Sequence, residues 1–469
     1  MKKVLVRSGM SQLDTFDAVE IIKRGSIGTN VGNLIYPFSI YRNLYSEEVE
    51  LVSDYYRNAP DDADLINENY SAYVLPLANG IRASFVPTLR RYTELFNKLE
   101  IPVYIIGLGL KDHFVSGGSK GFPFDDDVRN FIKAVLKKSS MIGLRGQTTA
   151  DYLSYLGFRD GIDHQAIGCP SMYTFGSKLK IRDFSLSDDS VIYTNMTSTA
   201  NQNALEFMNR ITEQYKNATF VPQELDELVL TYLGTPYFNG LIRNGNLSNY
   251  PNSINSRIYK EGKVKYFLNA KTWIEEMKGA DLSIGTRLHG NIAPTLAGTP
   301  TITIPIDERM NELCRFHNFP TIAQEKLDNT TELADLIAQV DFKSVEKTHE
   351  ENFKNFLEFL NKNGIEHGYN NAHNEQPFDR ELARKDIPAP LVPITSCQRD
   401  EMVARIEGAY EVIRKRIDAN ERGKAATIVR LKKKVSQLRE KVVQQDNVAI
   451  PRKSRAAKWT SLVRKDKLK

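Results

Sequence analysis

The densest chemistry in this 469-residue chain lies in one stretch, Ala280-Asp-Leu-Ser-Ile-Gly-Thr-Arg-Leu-His-Gly-Asn-Ile-Ala-Pro-Thr-Leu-Ala-Gly-Thr-Pro-Thr-Ile-Thr-Ile304. It reads as strand, tight turn, helix, glycine stop, strand. Gly298 stands where a helix takes a left-handed residue just past its end, and Pro300 prevents continuation. The turn carries Thr286, Arg287, His289, Gly290 and Asn291. That places them at the carboxyl end of a parallel strand, the edge where open α/β sheets bind ligands. Free N–H groups in the first turn of the helix attract an anion, and Arg287 adds a forked positive charge. The same charges favour the neutral imidazole at His289, which can then accept a proton near neutral pH. In isolation, Arg287 and His289 read as braces of the turn. With two glycines at the ligand-binding edge of a sheet, a functional role outweighs that reading.

The elements that must position this turn come in two series. Apolar runs at 4–6, 49–52, 73–76, 103–108, 141–144 and 166–168 predict strands, with helices between them at 86–99, 127–138 and 148–156. The runs are continuous rather than alternating, as in parallel strands covered on both faces. After a polar stretch the pattern restarts. Strands are expected at 190–193, 219–221, 264–268, 282–284 and 301–304, with helices at 203–215, 271–278 and 289–296. The polar region 234–256 reads as an insertion or mobile loop. Two βα series predict two doubly wound Rossmann-like domains facing a cleft, 1–180 and 181–345. Residues 346–398 read as a helix and linker, 399–445 as a helical, coiled-coil-like segment, and 446–469 as a basic tail. Val403, Ile406, Tyr410, Ile413 and Ile417 form a heptad stripe, interrupted at 421–424 and resumed from Ile428 in a shifted frame. Such a stripe suits a homo-oligomer contact, a helical hairpin or a helix docked on the body.

Composition narrows the function classes. The net charge of +5 hides a partition: residues 430–469 carry 14 Lys/Arg and 3 Asp/Glu, leaving 1–429 with 49 basic and 55 acidic side chains. An acidic body without a recognisable module argues against nucleic acid. No apolar run reaches the roughly 20 residues that cross a bilayer, and the first apolar residues are too few for a signal core. Three widely spaced cysteines (Cys169, Cys314, Cys397) suit a reducing cytoplasm rather than a disulfide framework or structural zinc. The remaining histidines have no metal-ligand spacing, so no metal is expected.

Gly285-Thr-Arg-Leu-His-Gly290, followed by a helix and Ala297-Gly-Thr-Pro300, resembles the signature of the polysaccharide pyruvyl transferase family. Other segments agree in order: 103–110 with a strand ending in Gly-X-Gly; Gly143-Leu-Arg-Gly-Gln-Thr-Thr-Ala150 with an Arg-Gly-X-X-Thr-Ala element; Ile167-Gly-Cys-Pro-Ser171 with the next strand end; and Ile306-Asp-Glu-Arg-Met-Asn-Glu-Leu313 with an Asp-X-Arg-X-X-Glu-Leu element. The resemblance spans about residues 25–345. It departs in the first βα loop, Gly28-Thr-Asn-Val-Gly-Asn33, where family members often carry Asn-X-Gly-Asp. Asn33 stands in place of the acid, either capping the helix equally well or removing a catalytic base. Gly28, Asn30 and Gly32 belong to this loop, as an ordinary Gly-rich turn or a substrate loop. Residues 7–27 have no place in the resemblance.

The resemblance implies a two-domain fold like that of the B-type glycosyltransferases. It also implies transfer of the enolpyruvyl group of phosphoenolpyruvate to two hydroxyls of a cell-surface polysaccharide or its lipid-linked precursor, giving a ketal and phosphate. No cofactor is needed beyond that donor. Arg145, Arg287 and Arg309 would hold the donor's anions across the cleft, with Gly290 and Asn291 at the turn, and His289 would move a proton. Asp307 and Glu312 lie near the acceptor or serve a salt-bridged loop. Two alternatives stay open: a nucleotide-sugar glycosyltransferase of the same fold, with Glu308 or Glu312 gripping ribose, and a non-catalytic scaffold in polysaccharide assembly. The expected setting is cytoplasmic. In the tail, Trp459, Leu462 and Val463 share a helical face among basic residues, which suits either peripheral contact with anionic lipid or a solvated charged end.

Overall fold

A computed structural model describes residues 1–115, 117–118, 120–235, 249–370 and 375–449. The chain forms two compact units, residues 1–405 and a second beginning at Ile406. Most of the expected 234–256 insertion, and the basic tail from residue 450, lie outside the described residues.

The first unit contains two parallel sheets. In the first, β1 (Lys2–Val6), β2 (Val49–Ser53), β3 (Ala72–Leu75) and β4 (Val103–Ile105) take the order β2-β1-β3-β4. A parallel bridge from Leu108 to Leu144 continues it to the pair β5 (Ile142–Leu144) and β6 (His164–Ala166). In the second, β7 (Ile192–Asn195), β8 (Ala218–Phe220), β9 (Leu282–Gly285) and β10 (Thr301–Thr303) take the order β10-β9-β7-β8. Every named pair is parallel and the central strands are buried, as continuous apolar runs require. Each sheet has its own apolar core, one around Phe96, Phe131 and Tyr152, the other around Phe207, Phe220 and Tyr259. This is the doubly wound α/β class that the alternating pattern predicts.

Three segments differ from expectation. The run 264–268 forms no continuous strand: Val264 bridges Phe220 in parallel, while Tyr266 bridges Leu391 antiparallel, so two partners of opposite direction divide it. In 346–398 the expected helix is present, but the rest is packed on the body and is not a bare linker. The helix Ser344–Lys362 returns to the first sheet, where Asn363 Oδ1 accepts from the N–H groups of Ser140 and Met141 and Asn355 donates to the Ala166 carbonyl at 2.6 Å. The following helix, Pro377–Ala383, packs Phe378 edge-on against Phe38 and Tyr45, and Asp379 pairs with the buried Arg42 at 2.7 Å. Finally, Arg399–Ala449 is one helix of 51 residues, unbroken at 421–424. A lone glycine costs a helix only about 1 kcal/mol, and Glu421, Arg422 and Lys424 around it are good helix formers. The stripe residues Val403, Ile406 and Tyr410 are exposed.

Candidate active site

Three helices start at one cavity of about 580 Å³ within the first unit: Gly32–Leu44, Leu288–Leu296 and Glu308–His317. Their N-terminal dipoles favour negative charge there. The wall carries six cations, Arg7, Arg82, Lys111, Arg145, Arg287 and Arg309, against two carboxylates, Glu224 and Asp307.

Arg145 follows β5 and is 1% exposed. Its Nη1 lies 3.5 Å from Asn79 Oδ1 and its guanidinium sits over the Tyr36 ring at 5.1 Å, but Nε and Nη2 are buried without a hydrogen-bond partner. A buried, always-charged group on a cavity wall, with two guanidinium nitrogens that find no acceptor, is a ready seat for an anion. Beside it, His289 opens the helix Leu288–Leu296, with Nε2 buried and unpartnered. Burial, then Arg145 and Arg309, lower its pKa to about 3, so the imidazole is neutral over the physiological range. Arg309 lies across from Arg145 and is held at 3.1 Å by Asp307, which also caps its own helix by accepting from Met310 N–H.

Arg287 is more committed than its sequence position suggests. Its Nε donates to the Met196 carbonyl at 2.9 Å and its Nη1 pairs with Glu224. Burial works against the charge, yet Glu224, Tyr250 and Glu227 hold the guanidinium above its ordinary value. Glu224 also accepts from Asn30 Nδ2 at 3.3 Å, so one carboxylate ties the 28–33 loop to the signature turn. The backbone repeats the tie: Val31 N–H donates to the Gln223 carbonyl and Leu225 N–H to that of Thr29.

In the first loop, Gly28 takes a positive φ of 63° and lines the cavity. Asn30 Oδ1, not Asn33, accepts from Gly32 N–H at 2.6 Å. Asn33 lines the cavity and donates its Nδ2 to the Ile27 carbonyl at 3.0 Å, so it staples the loop and does not cap the helix. Gly32 permits the first loop and the signature turn to approach closely: a Cβ there would sit 3.0 Å from that of His289. The unplaced 7–27 segment contributes the helix Ala18–Arg24, capped by Asp17, and begins with cavity residue Arg7.

Four expected site residues do not line the cavity: Gly32, which packs on His289, and Asn291, Gly290 and Glu312. Asn291 is fully buried and spends its amide on the Gly285 carbonyl and Asn195, joining the ends of β9 and β7. Gly290 is there for close packing, since a Cβ would fall 2.5 Å from Gln223 Nε2. Glu312 accepts from Thr149 N–H at 2.8 Å, capping the helix Gln147–Tyr155 from the helix Glu308–His317. The residues missed were Arg7, Arg82, Lys111, Tyr36, Glu224 and Gln223; their spacing along the chain carries no signal, and only the fold assembles them. Among the described residues no cluster of three or more His, Cys, Asp or Glu side chains could hold a metal ion.

Residues 30–308 match the polysaccharide pyruvyl transferase family, more than half of the chain. The chain belongs to the polysaccharide pyruvyl transferase family. The matched span includes residues 30–33 of the first loop, Arg145, the signature turn and the start of the Asp307 element. No protein of curated function matches the chain. Similar solved structures include a functionally uncharacterised Klebsiella pneumoniae protein, at 12% identity over 69% of this chain and 93% of that one, with a TM-score of 0.36. A Neisseria meningitidis UDP-GlcNAc 2-epimerase bound to UDP-GlcNAc shares 10% identity over 82% and 98%, at 0.35. An S. aureus MnaA–UDP structure shares 10% over 82% and 94%, at 0.33. The family assignment rests on the sequence match and not on these likenesses. Among the described residues, no helix is long and apolar enough to cross a membrane.

Proposed function

We propose that this member of the family is a ketal-forming pyruvyl transferase: its cavity binds phosphoenolpyruvate and transfers the enolpyruvyl group to two hydroxyls of a saccharide, releasing phosphate. The observation that carries the reading is Arg145, buried with two unpartnered guanidinium nitrogens beside an unpartnered, neutral His289. A donor with a carboxylate and a phosphate satisfies both features, and Arg309 and the converging helix starts add to the same field.

In this reading C3 of the donor gains a proton and C2 becomes electrophilic. One acceptor hydroxyl adds to C2 as it loses its proton. The second hydroxyl then displaces phosphate from C2 and closes the ketal. His289 is the group placed to exchange these protons. Bound anions offset Arg145 and Arg309, two of the causes that lower its pKa, so the imidazole gains basicity when the donor arrives. A nucleotide-sugar glycosyltransferase is less well served. Glu312 caps a helix and Glu308 pairs with Arg315, so neither acid faces the cavity. A degenerate scaffold would have no reason to retain buried, unpaired charge. We place the reaction in the cytoplasm, with membrane contact through the basic tail as part of the same proposal.

Phosphate release from phosphoenolpyruvate in the presence of a saccharide panel tests the assignment. An acceptor-dependent release that falls about 10²–10⁴-fold in His289→Ala is expected for a proton-transfer residue. Nucleoside diphosphate release from a nucleotide sugar, without phosphate release from phosphoenolpyruvate, would overturn it.

A further inference from the structure

Six cations line the cavity, more than a three-carbon phosphate can engage. They run as one row: Asn79 accepts from Arg145 with its side chain and from Arg82 with its carbonyl, Arg309 acts on both His289 and Arg82, and Arg7 lies at the end beyond Arg82. A cavity of about 580 Å³ is large enough for a drug-sized ligand, so the donor leaves part of it open.

The Arg7 side has its own construction. The Arg7 guanidinium lies 4.7 Å from the centroid of the Tyr56 ring and 5.8 Å from that of Phe85, and Arg82 lies over Phe85 at 4.9 Å. Arg7 Nε donates to Tyr92 Oη at 2.8 Å; Arg82 donates to Ser84 Oγ at 3.1 Å and to the Asn79 carbonyl. All these partners are neutral. The carboxylate that acts on Arg7 is Asp54, whose oxygens already accept from Ser8 N–H, Tyr56 N–H and Tyr73 Oη. Burial and its cationic neighbours hold Arg82 below the ordinary guanidinium range. One wall residue here, Tyr56 (φ 57°), adopts the left-handed backbone region that side-chain-bearing residues avoid. Such strain persists where surrounding structure enforces it, and it clusters at ligand sites.

We infer that Arg7 and Arg82 form a second anion seat, for a carboxylate or phosphoryl substituent carried by the saccharide acceptor, with Tyr56 and Phe85 as the apolar platform for the sugar. This rests on the reading of the cavity as a pyruvyl-transfer site. The acceptor is thus an already anionic saccharide, oriented by its charge so that two hydroxyls reach the donor beside His289.

Calorimetric titration of the full chain separates the two claims. The probes are methyl hexoside, hexuronic acid, hexose 1-phosphate and phosphoenolpyruvate; the proteins are wild type, R7Q, R82Q, R82K and R145Q. At least one charged sugar should bind tenfold or more tighter than the methyl hexoside. R7Q and R82Q should erase that gain and R82K should keep most of it. A gain for hexose 1-phosphate alone assigns the seat to phosphoryl groups, and a gain for both assigns it to anions generally. No gain, or a gain that survives in R82Q, overturns the inference. Phosphoenolpyruvate binding should fall in R145Q and stay within about threefold of wild type in R82Q. Failure of wild type to bind phosphoenolpyruvate, with the charged-sugar gain intact, would remove the donor reading and leave the seat.

Discussion

At the scale of single residues, burial lowers the pKa of five histidines, most strongly at His289 and His317. His289 faces the cavity, and His317 is 1% exposed, with Nε2 accepting from Cys169 N–H at 2.8 Å. Both have pKa values lowered to about 3, chiefly by burial. Between pH 6.5 and 3 the unfolded chain takes up protons that the folded chain refuses. Stability is therefore complete above pH 6.5 and lost as the pH falls, at up to ~1.4 kcal/mol per pH unit for each group. Urea denaturation at pH 7, 6 and 5 should show a shallower pH slope in His317→Gln than in wild type; an identical slope would refute the assignment. Arg287 and His289 were legible because they sit in one short turn at a sheet edge. The surroundings of Asn291, Gly290 and Glu312 are not legible, because their partners, Asn195, Gln223 and Thr149, lie on elements far away in the chain.

At the scale of elements, the central feature is the meeting of the helices Gly32–Leu44 and Leu288–Leu296, one from each sheet's side of the cavity. Gly32→Ala would place a methyl 2.8 Å from Asn30 Oδ1 and 3.0 Å from His289 Cβ. Overpacking of this kind costs about 1–3 kcal/mol, and a 1 Å displacement of a reacting group can cost about 10²-fold in rate. Turnover in Gly32→Ala should fall by that order while thermal unfolding shows a modest loss; wild-type turnover would contradict the geometry. Both sheets were readable from continuous apolar runs, because parallel strands buried on both faces leave that trace. The return of Ser344–Lys362 and Pro377–Ala383 to the first sheet was not readable. An amphipathic helix states that it has an apolar face, and nothing in its period names the surface that face covers.

At the scale of the molecule, charge and chemistry are segregated. Residues 1–429 are net acidic, yet their cavity gathers six cations, while the chain's excess positive charge lies beyond residue 430. All cavity residues belong to the unit 1–405, whose edge is held by Arg405 stacked on Tyr232 and donating to the Val392 carbonyl. A chain ending at residue 412 retains those contacts and should unfold within about 2–4 °C of the full chain, as expected for a change of under 1 kcal/mol. A larger loss would show that the first unit depends on the rest of the long helix. The most direct measurement of the central claim is calorimetric titration of phosphoenolpyruvate into wild type and Arg145→Gln. Loss of a buried charge-paired contact should weaken binding at least 30-fold, about 2 kcal/mol. Equal affinity in the two proteins, or no binding to wild type, would contradict a donor seated on Arg145.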